Sequence, residues 1–396
     1  MRVLICLTYY RPHYSGLTIY VERLARALAD RGHRVVVLTS RYDRRLPAYE
    51  KLDGVEVHRL DVWLRVSKGV IMPTMLGRAW RFARWADVVN LHVPQLDAAP
   101  ISLIGRLLGR PIVLTYHCDL HLPAGFIHYV ANQVSHLANH VSASSAQVVV
   151  TNTRDYAEHS PFLRRYLPRV QVIPPPVGLP PIDEAVLQAF RRMANIQPGQ
   201  RIIGMAARLA AEKGVEYLVQ ALPTVLERHP QARVLFVGQH EGVLGEEAYA
   251  QRLAPSIARL GEHWAFLGTL PPQQFAAFLH VAEVTVLPSI NSTESFGMVQ
   301  VESMICGTPV IASDLPGVRQ PVTMTGMGAI IPPGDAAALA HTLITILADP
   351  GRFRGDPQAV AAQFSPPAIA EQYEALFASL AVPVAGRGDK KGPAVA

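Results

Sequence analysis

The chain has 396 residues, 49% of them hydrophobic and 17% charged, with a net charge of +6; at roughly 100–200 residues per domain this predicts two or three domains with apolar side chains enough for two cores, and it excludes wholesale disorder. Only three cysteines occur, Cys6, Cys118 and Cys306, far apart and with no C-x-x-C pair, which argues against a disulfide framework or a structural zinc and for a reducing, cytoplasmic compartment. No apolar run reaches the roughly 18 residues of a membrane span, and MRVLICLTYYRPHYSG, with one early Arg and no small-residue cleavage site, reads as a first strand rather than a signal peptide.

RVLICLTYY is a short apolar run of the kind that forms a strand buried on both faces. Ser15-Gly16 make the next turn, Val21, Leu24, Ala25 and Leu28 recur at helical spacing up to Arg31-Gly32-His33, and VVVLTS follows as a second strand. Together these form a βαβ unit. VEVHRL, ADVVNLHVP, PIVLTYH and QVVVTNT continue the strands, with helices expected over 101–108 and 126–143, the alternation of a doubly wound parallel sheet. Five prolines between Pro174 and Pro181 then remove backbone donors and stiffen the chain, so VIPPPVGLPPID reads as a linker. Beyond it RIIGMAAR, RVLFVGQ, WAFLGT, EVTVLPS and PVIASD are expected strands, alternating with helices over 215–227, 246–260, 273–280 and 297–305.

The predicted architecture is α/β, with two Rossmann-like domains at 1–176 and 177–365, a helix at 366–380 expected to pack back on the first domain, and a flexible tail at 381–396. The charge is uneven: +10 up to Pro180 and −4 beyond it, which suggests different partners for the two halves. Tandem sheets of this kind are expected to face a central cleft, and ligands of open αβ sheets bind beyond the carboxyl ends of the strands.

The sharpest motif is NSTESFGMVQVESMICGTPVIASD, where Glu294 lies in a polar loop after a strand and Glu302 lies in the helix that Gly297 opens, an E-x7-E pair. A helix N-terminus between two carboxylates offers unpaired N–H groups and a positive dipole end to a phosphate-bearing ligand. In AARLAAEKG, Arg208 and Lys213 sit at a strand's carboxyl end, spaced to clamp a diphosphate and stabilise charge building on it as a leaving group. His117 ends the strand of LTYHCDLH, and Gly16 lies in the first βα turn, where the backbone can approach a ligand closely. Whether Asp119 orients His117 stays open.

AARLAAEKGVEYLVQAL, LGTLPPQQFAAFLHVAEVTVLPS and ESFGMVQVESMICGTPVIASD together resemble the C-terminal domain of family 4 retaining glycosyltransferases, and SGLTIYVERLARALADRGHRVVVLTS is similar to that family's opening unit. The resemblance implies the GT-B fold and hexose transfer from a nucleotide sugar, UDP- or GDP-linked, that is a substrate rather than a cofactor, without a metal. It implies that Arg208 and Lys213 hold the donor diphosphate, Glu302 the ribose, and Glu294 the hexose. The N–H groups of Ser295, Phe296, Gly297 and Met298 would hold sugar and phosphate oxygens, the backbone around Leu267 would meet the base, Gly16 would approach the diphosphate, and His117 would lie beside the transferred sugar. The chain departs from the family's usual pattern at Ser15, Ala207, Pro174-Pro175-Pro176 and Gln320, and none of these removes a charged clamp residue.

In SKGVIMPTMLGRAWRFARWADV a helical wheel puts Leu76, Ala79, Trp80 and Ala83 on one face, with Arg78, Arg81 and Arg84 on the other among Phe82 and Trp85. Arginine interleaved with exposed aromatics suits an anionic membrane surface, with Arg41, Arg44, Arg45, Arg65 and Lys68 nearby in sequence; an ordinary packed helix is the alternative. No nucleic-acid motif accompanies the charge. The main expectation is therefore transfer to a membrane lipid or lipid-linked glycan, by a protein peripheral to the cytoplasmic face of a membrane. The alternative is a small soluble sugar or sugar-phosphate acceptor, and behind both stand a nucleotide-sugar epimerase of the same fold and a non-catalytic binding protein.

Overall fold

A computed structural model describes residues 1–66, 69–119 and 126–380; the tail expected at 381–396 and Lys68 lie outside the described residues. The chain divides into two units, Met1–Pro176 together with Ser365 onward, and Val177–Phe364.

The first unit is built on β1 (Arg2–Cys6), α1 (Gly16–Asp30), β2 (Arg34–Arg41), β3 (Tyr49–Leu52), β4 (Val55–Asp61), β5 (Leu64–Val66), β6 (Gly69–Ile71), α2 (Met75–Trp85), β7 (Val88–Val93), α3 (Ala98–Leu107), β8 (Ile112–Tyr116), α4 (Phe126–Ser145), β9 (Val148–Thr151), α5 (Arg154–His159) and β10 (Val170–Val172). Eight strands form one sheet in the order β10-β9-β8-β7-β1-β2-β4-β3, and β5 and β6 form a separate hairpin. Every neighbour in the large sheet is parallel except β3, which runs antiparallel to β4. From β1 the chain steps outward through β2 to β4 and returns to β7 on the other side of β1, so the sheet reverses between β1 and β7, where ligands of doubly wound sheets bind.

The second unit follows with α6 (Glu184–Met193), β11 (Arg201–Ala206), α7 (Val215–Arg228), β12 (Ala232–Val237), α8 (Glu247–Arg259), β13 (Trp264–Gly268), α9 (Pro272–Val281), β14 (Val284–Leu287), α10 (Met298–Ile305), β15 (Val310–Ser313), α11 (Gln320–Thr325), β16 (Gly328–Ile331), α12 (Ala336–Ala348) and α13 (Pro357–Phe364). Its sheet is wholly parallel, in the order β13-β12-β11-β14-β15-β16, and it reverses between β11 and β14. The Val177 N–H donates to the Phe364 carbonyl at 2.7 Å, joining the two ends of the unit.

The expected strands form because their apolar runs are buried on both faces: β7 is buried throughout and β1 from its second residue. The last helix, α14 (Pro366–Leu380), belongs to the first unit. Tyr373, fully buried, hydrogen-bonds the Tyr20 hydroxyl of α1 at 2.8 Å, and Glu374 pairs with Arg31 and, at 3.2 Å, with His33.

Two readings need correction. VIPPPVGLPPID is not linker from its first residue, because Val172 closes β10, which pairs with β9. Of SKGVIMPTMLGRAWRFARWADV, Gly69–Ile71 is a strand, and the helix begins only at Met75. The wheel's apolar face is only half right: Ala79 and Ala83 do turn inward. Phe82 and Trp85 are buried at 1% and 7% exposure with Met75, Ala79 and Ala83, whereas Leu76 and Trp80 are exposed at 52% and 39%.

Candidate active site

The two motifs of the second unit follow β11 and β14, the strands between which its sheet reverses. Arg208 and Lys213 lie in the turn after β11, and Glu294 in the loop between β14 and α10. The sequence places these loops far apart; the backbone holds them together. The Ile290 N–H donates to the Glu212 carbonyl at 3.1 Å. Gly214, at φ +64°, passes so close to the other loop that a Cβ would stand 2.0 Å from the Pro288 carbonyl oxygen. No other residue fits there, and this places Lys213 against Glu294.

Lys213 Nζ donates to Glu294 Oε2 at 2.7 Å, with both side chains mostly buried. The Gly297 N–H donates to Glu294 Oε1 at 2.9 Å. Burial pushes the Glu294 carboxyl pKa up, but the Lys213 ammonium and the N–H groups of Gly297 and Phe296 more than reverse this, and it lies below its ordinary value. Arg208 donates to Glu212 Oε1 at 2.9 Å. Each clamp cation thus holds a carboxylate, and Glu212 went unnoticed in the sequence although its i,i+4 spacing from Arg208 was there to read.

The structure qualifies the expectation for Ser295–Met298. The Phe296 and Gly297 N–H groups are directed at Glu294, so Glu294 already occupies the two N–H groups just ahead of α10, which has no side-chain cap of its own. The Phe296 ring is core, 2% exposed, which leaves only its backbone near the site. Gly297 takes φ +76°, where a Cβ would meet Leu287 at 2.3 Å, and Met298 begins the helix. Glu302 lies on α10 with 6% exposure. At the far edge of the sheet, the ladder between β12 and β13 shifts after Phe236 and leaves Leu267 without a partner residue on β12. A backbone taken out of register in this way can offer its groups to a base. Phe266 beside it stacks on His240 at 4.4 Å, a contact with no sequence signal.

In the first unit, Gly16 opens α1 exposed, with Ser15 as the N-cap accepting from the Thr18 N–H at 3.2 Å. His117 follows β8, and its N–H donates to the Val93 carbonyl at 3.1 Å. Burial pushes its pKa down to about 3, so the ring is neutral. Its Nε2 lies 2.9 Å from His92 Nδ1, and the Tyr20 ring meets it edge-on at 4.9 Å. Asp119 accepts instead from the Tyr116, Tyr156 and Ser160 hydroxyls at 2.8, 3.1 and 2.9 Å.

The basic patch is only partly a patch. Trp85 is core and stacks under Arg34, whose guanidinium carbon is 5.6 Å from its ring. Arg84 is exposed, while Arg78 and Arg81 are half-buried. With burial, those two cations push the His58 pKa down to about 4. Arg41 pairs with Asp61 at 3.2 Å and Arg45 with Asp43 at 2.7 Å, so their charge is locally balanced.

Two family profiles match the chain, one in each unit. The profile described as "Glycosyl transferase 4-like domain" matches residues 15–176, and "Glycosyl transferases group 1" matches residues 188–362. A D-inositol 3-phosphate glycosyltransferase of Xylanimonas cellulosilytica is 30% identical over 367 residues, covering 85% of this chain and 84% of its own. The chain belongs to glycosyltransferase family 4. The enzyme's fold is GT-B, like that of sucrose-phosphate synthase from Thermosynechococcus elongatus (TM-score 0.76, 23% identity, 96% of this chain and 98% of that one). The Anabaena protein Alr3699/HepE, solved with UDP-glucose, also matches this glycosyltransferase (TM-score 0.75, 19% identity, 96% and 100%). Among the described residues, no helix is long and apolar enough to cross a membrane.

Proposed function

We propose that this glycosyltransferase moves a hexose from a nucleoside-diphosphate sugar to a hydroxyl of a small soluble acceptor, a polyol or sugar phosphate, with retention at the anomeric carbon and without a metal. The observation that carries the reading is the Lys213–Glu294 pair, fixed at the sheet reversal beside Arg208 and the N-terminus of α10. The two cations take the diphosphate oxygens in exchange for their carboxylate partners, and Glu294, still held by N–H groups, turns its remaining lone pairs to hexose hydroxyls. As the bond from the anomeric carbon to the diphosphate oxygen breaks, negative charge grows where Arg208 and Lys213 stand. The acceptor hydroxyl forms the new bond on the face the diphosphate leaves, and its proton passes to the departing diphosphate.

Glu302 serves the ribose, the Leu267 backbone the base, and His117 and Gly16 the sugar and diphosphate side. The UDP-glucose bound to the Anabaena protein supports a uridine donor. The inositol 3-phosphate of the Xylanimonas relative's name and the sugar phosphate of the synthase's name support a soluble, phosphate-bearing acceptor, which the surplus of positive charge before Pro180 also suits. The test is a melting-point screen over UDP-, GDP- and ADP-sugars, followed by transfer assays with inositol and sugar phosphates. A ligand that binds only the folded state raises Tm; no shift with any nucleotide sugar contradicts the reading.

A second acceptor, a lipid, is favoured by one observation. Trp63, Leu64 and Ile71 of the hairpin segment and Leu76 and Trp80 of α2 are exposed at 75, 47, 39, 52 and 39%, on a stretch where Arg78, Arg81 and Arg84 supply cations. Sedimentation with anionic vesicles that weakens with salt and with Trp63→Ser and Trp80→Ser supports this reading; absence of binding at low salt removes it.

A further inference from the structure

The Val113 carbonyl in β8 can only accept a hydrogen bond, and Asn90 in β7 meets it through Nδ2 at 3.2 Å while the same Nδ2 reaches Thr115 Oγ1 at 3.0 Å. This fixes the amide's orientation, since flipping it would set oxygen against oxygen. Asn90 Oδ1 therefore faces His92 Nε2, at 2.9 Å. An amide oxygen only accepts, so His92 must carry its proton on Nε2. His92 is fully buried, its described ring contacts are Asn90, His117 and Tyr20, and none of these is a carboxylate. Burial, and then His117, hold its pKa well below the ordinary value, so the ring is neutral and Nδ1 is an acceptor. His117 Nε2, 2.9 Å away, must then be the donor.

We propose that Asn90 and His92 are positioning residues for the transfer reaction: together they hold His117 as the Nε2–H tautomer, so that it meets a sugar hydroxyl through an unprotonated Nδ1, as an acceptor. One backbone carbonyl dictates the whole sequence of protons. The consequence is a choice of ligand chemistry. A His117 set this way takes a hydroxyl proton and disfavours a phosphate or carboxylate oxygen, so it belongs to the sugar and not to the diphosphate. The tautomer follows from the relay, and only its kinetic consequence rests on the proposed function.

The experiment is long-range proton–nitrogen NMR of the full chain labelled with nitrogen-15 histidine, with the His117 signals assigned by their loss in His117→Gln. The expected spectrum has the His117 proton on Nε2. His92→Leu removes the acceptor, and kcat is expected to fall about tenfold, the worth of one neutral hydrogen bond, while KM for the donor changes little. His92→Asn, whose Oδ1 reaches the place of Nδ1, should restore the tautomer and most of the rate. Asn90→Leu is the second variant should His92→Leu fail to fold. A wild-type His117 protonated on Nδ1, or a folded His92→Leu or Asn90→Leu with unchanged tautomer and kcat, overturns the proposal. Absence of turnover in the wild type would count against the proposed function and leave the tautomer result to decide the relay.

Discussion

Glu294 holds the Lys213 ammonium, at 2.7 Å, with one oxygen and the Gly297 N–H, at 2.9 Å, with the other. Lys213→Ala is expected to lower kcat about 100- to 1,000-fold, the range seen when one group stabilising transition-state charge is removed, as measured by nucleotide release at saturating donor. Glu294 also sets a pH dependence. Its folded pKa is below the unfolded value, so its contribution to stability is complete above the ordinary carboxyl range near pH 4.3 and is lost as pH falls through the folded value. The Tm gap between wild type and Glu294→Gln should be widest above about pH 5 and should close in more acid solution; a gap independent of pH contradicts the pair. His117 acts in the same direction over a higher window. A ring neutral down to about pH 3 when folded binds fewer protons than the unfolded chain, so stability falls as pH drops below about 6.5. His117→Gln should make that part of the profile shallower, leaving the share of His58 and His92, whose pKa values are lowered too.

At the scale of elements, two glycines separate backbone strain from steric fit. Gly32, at φ +86°, has open space where a Cβ would go, whereas a Cβ on Gly214 would stand 2.0 Å from the Pro288 carbonyl oxygen. Gly32→Ala should cost about 1–2 kcal/mol, the left-handed backbone alone. Gly214→Ala should cost more and also abolish turnover, since the contact it breaks places Lys213; denaturant midpoints and kcat measured together check both. The same distinction between local and tertiary signals explains what could be read in the sequence. Strands buried on both faces announced themselves as apolar runs. The edge strand YEKL of β3, half exposed and polar, carried no such run, and β16 is only four residues long. Helix α12, AAALAHTLITILA, is apolar on nearly every side and so lacks a helical period, although Asp335 caps it. For α2 both candidate arcs are apolar, and only packing decides that Met75, Phe82 and Trp85 go inward. The clamp residues were legible from their spacing at a strand's carboxyl end and from the motif around them. His92 was not singled out, though Asn90 and His92, two apart in an otherwise apolar strand, were the available sign.

Across the whole molecule, the second unit is inserted between two parts of the first, because α14 returns to α1. Tyr373 ties that helix both to Tyr20 and to Thr115, the partner of Asn90, at 2.8 and 3.1 Å. Tyr373→Phe keeps the ring in its core place and removes the hydroxyl, so it should lower stability by about 1 kcal/mol, and Tyr373→Ala by about 3–5 kcal/mol, read from denaturant midpoints. On the proposed function, the uneven charge, +10 up to Pro180 and −4 after it, leaves the more acidic half to present Arg208 and Lys213 to a diphosphate. The most direct test is to incubate the enzyme with a nucleotide sugar, with and without an inositol phosphate or sugar-phosphate acceptor, and to count nucleoside diphosphate against glycoside. The account predicts acceptor-dependent release, one diphosphate per glycoside, lost in Lys213→Ala. Release or epimerisation that needs neither acceptor nor Lys213 would contradict it.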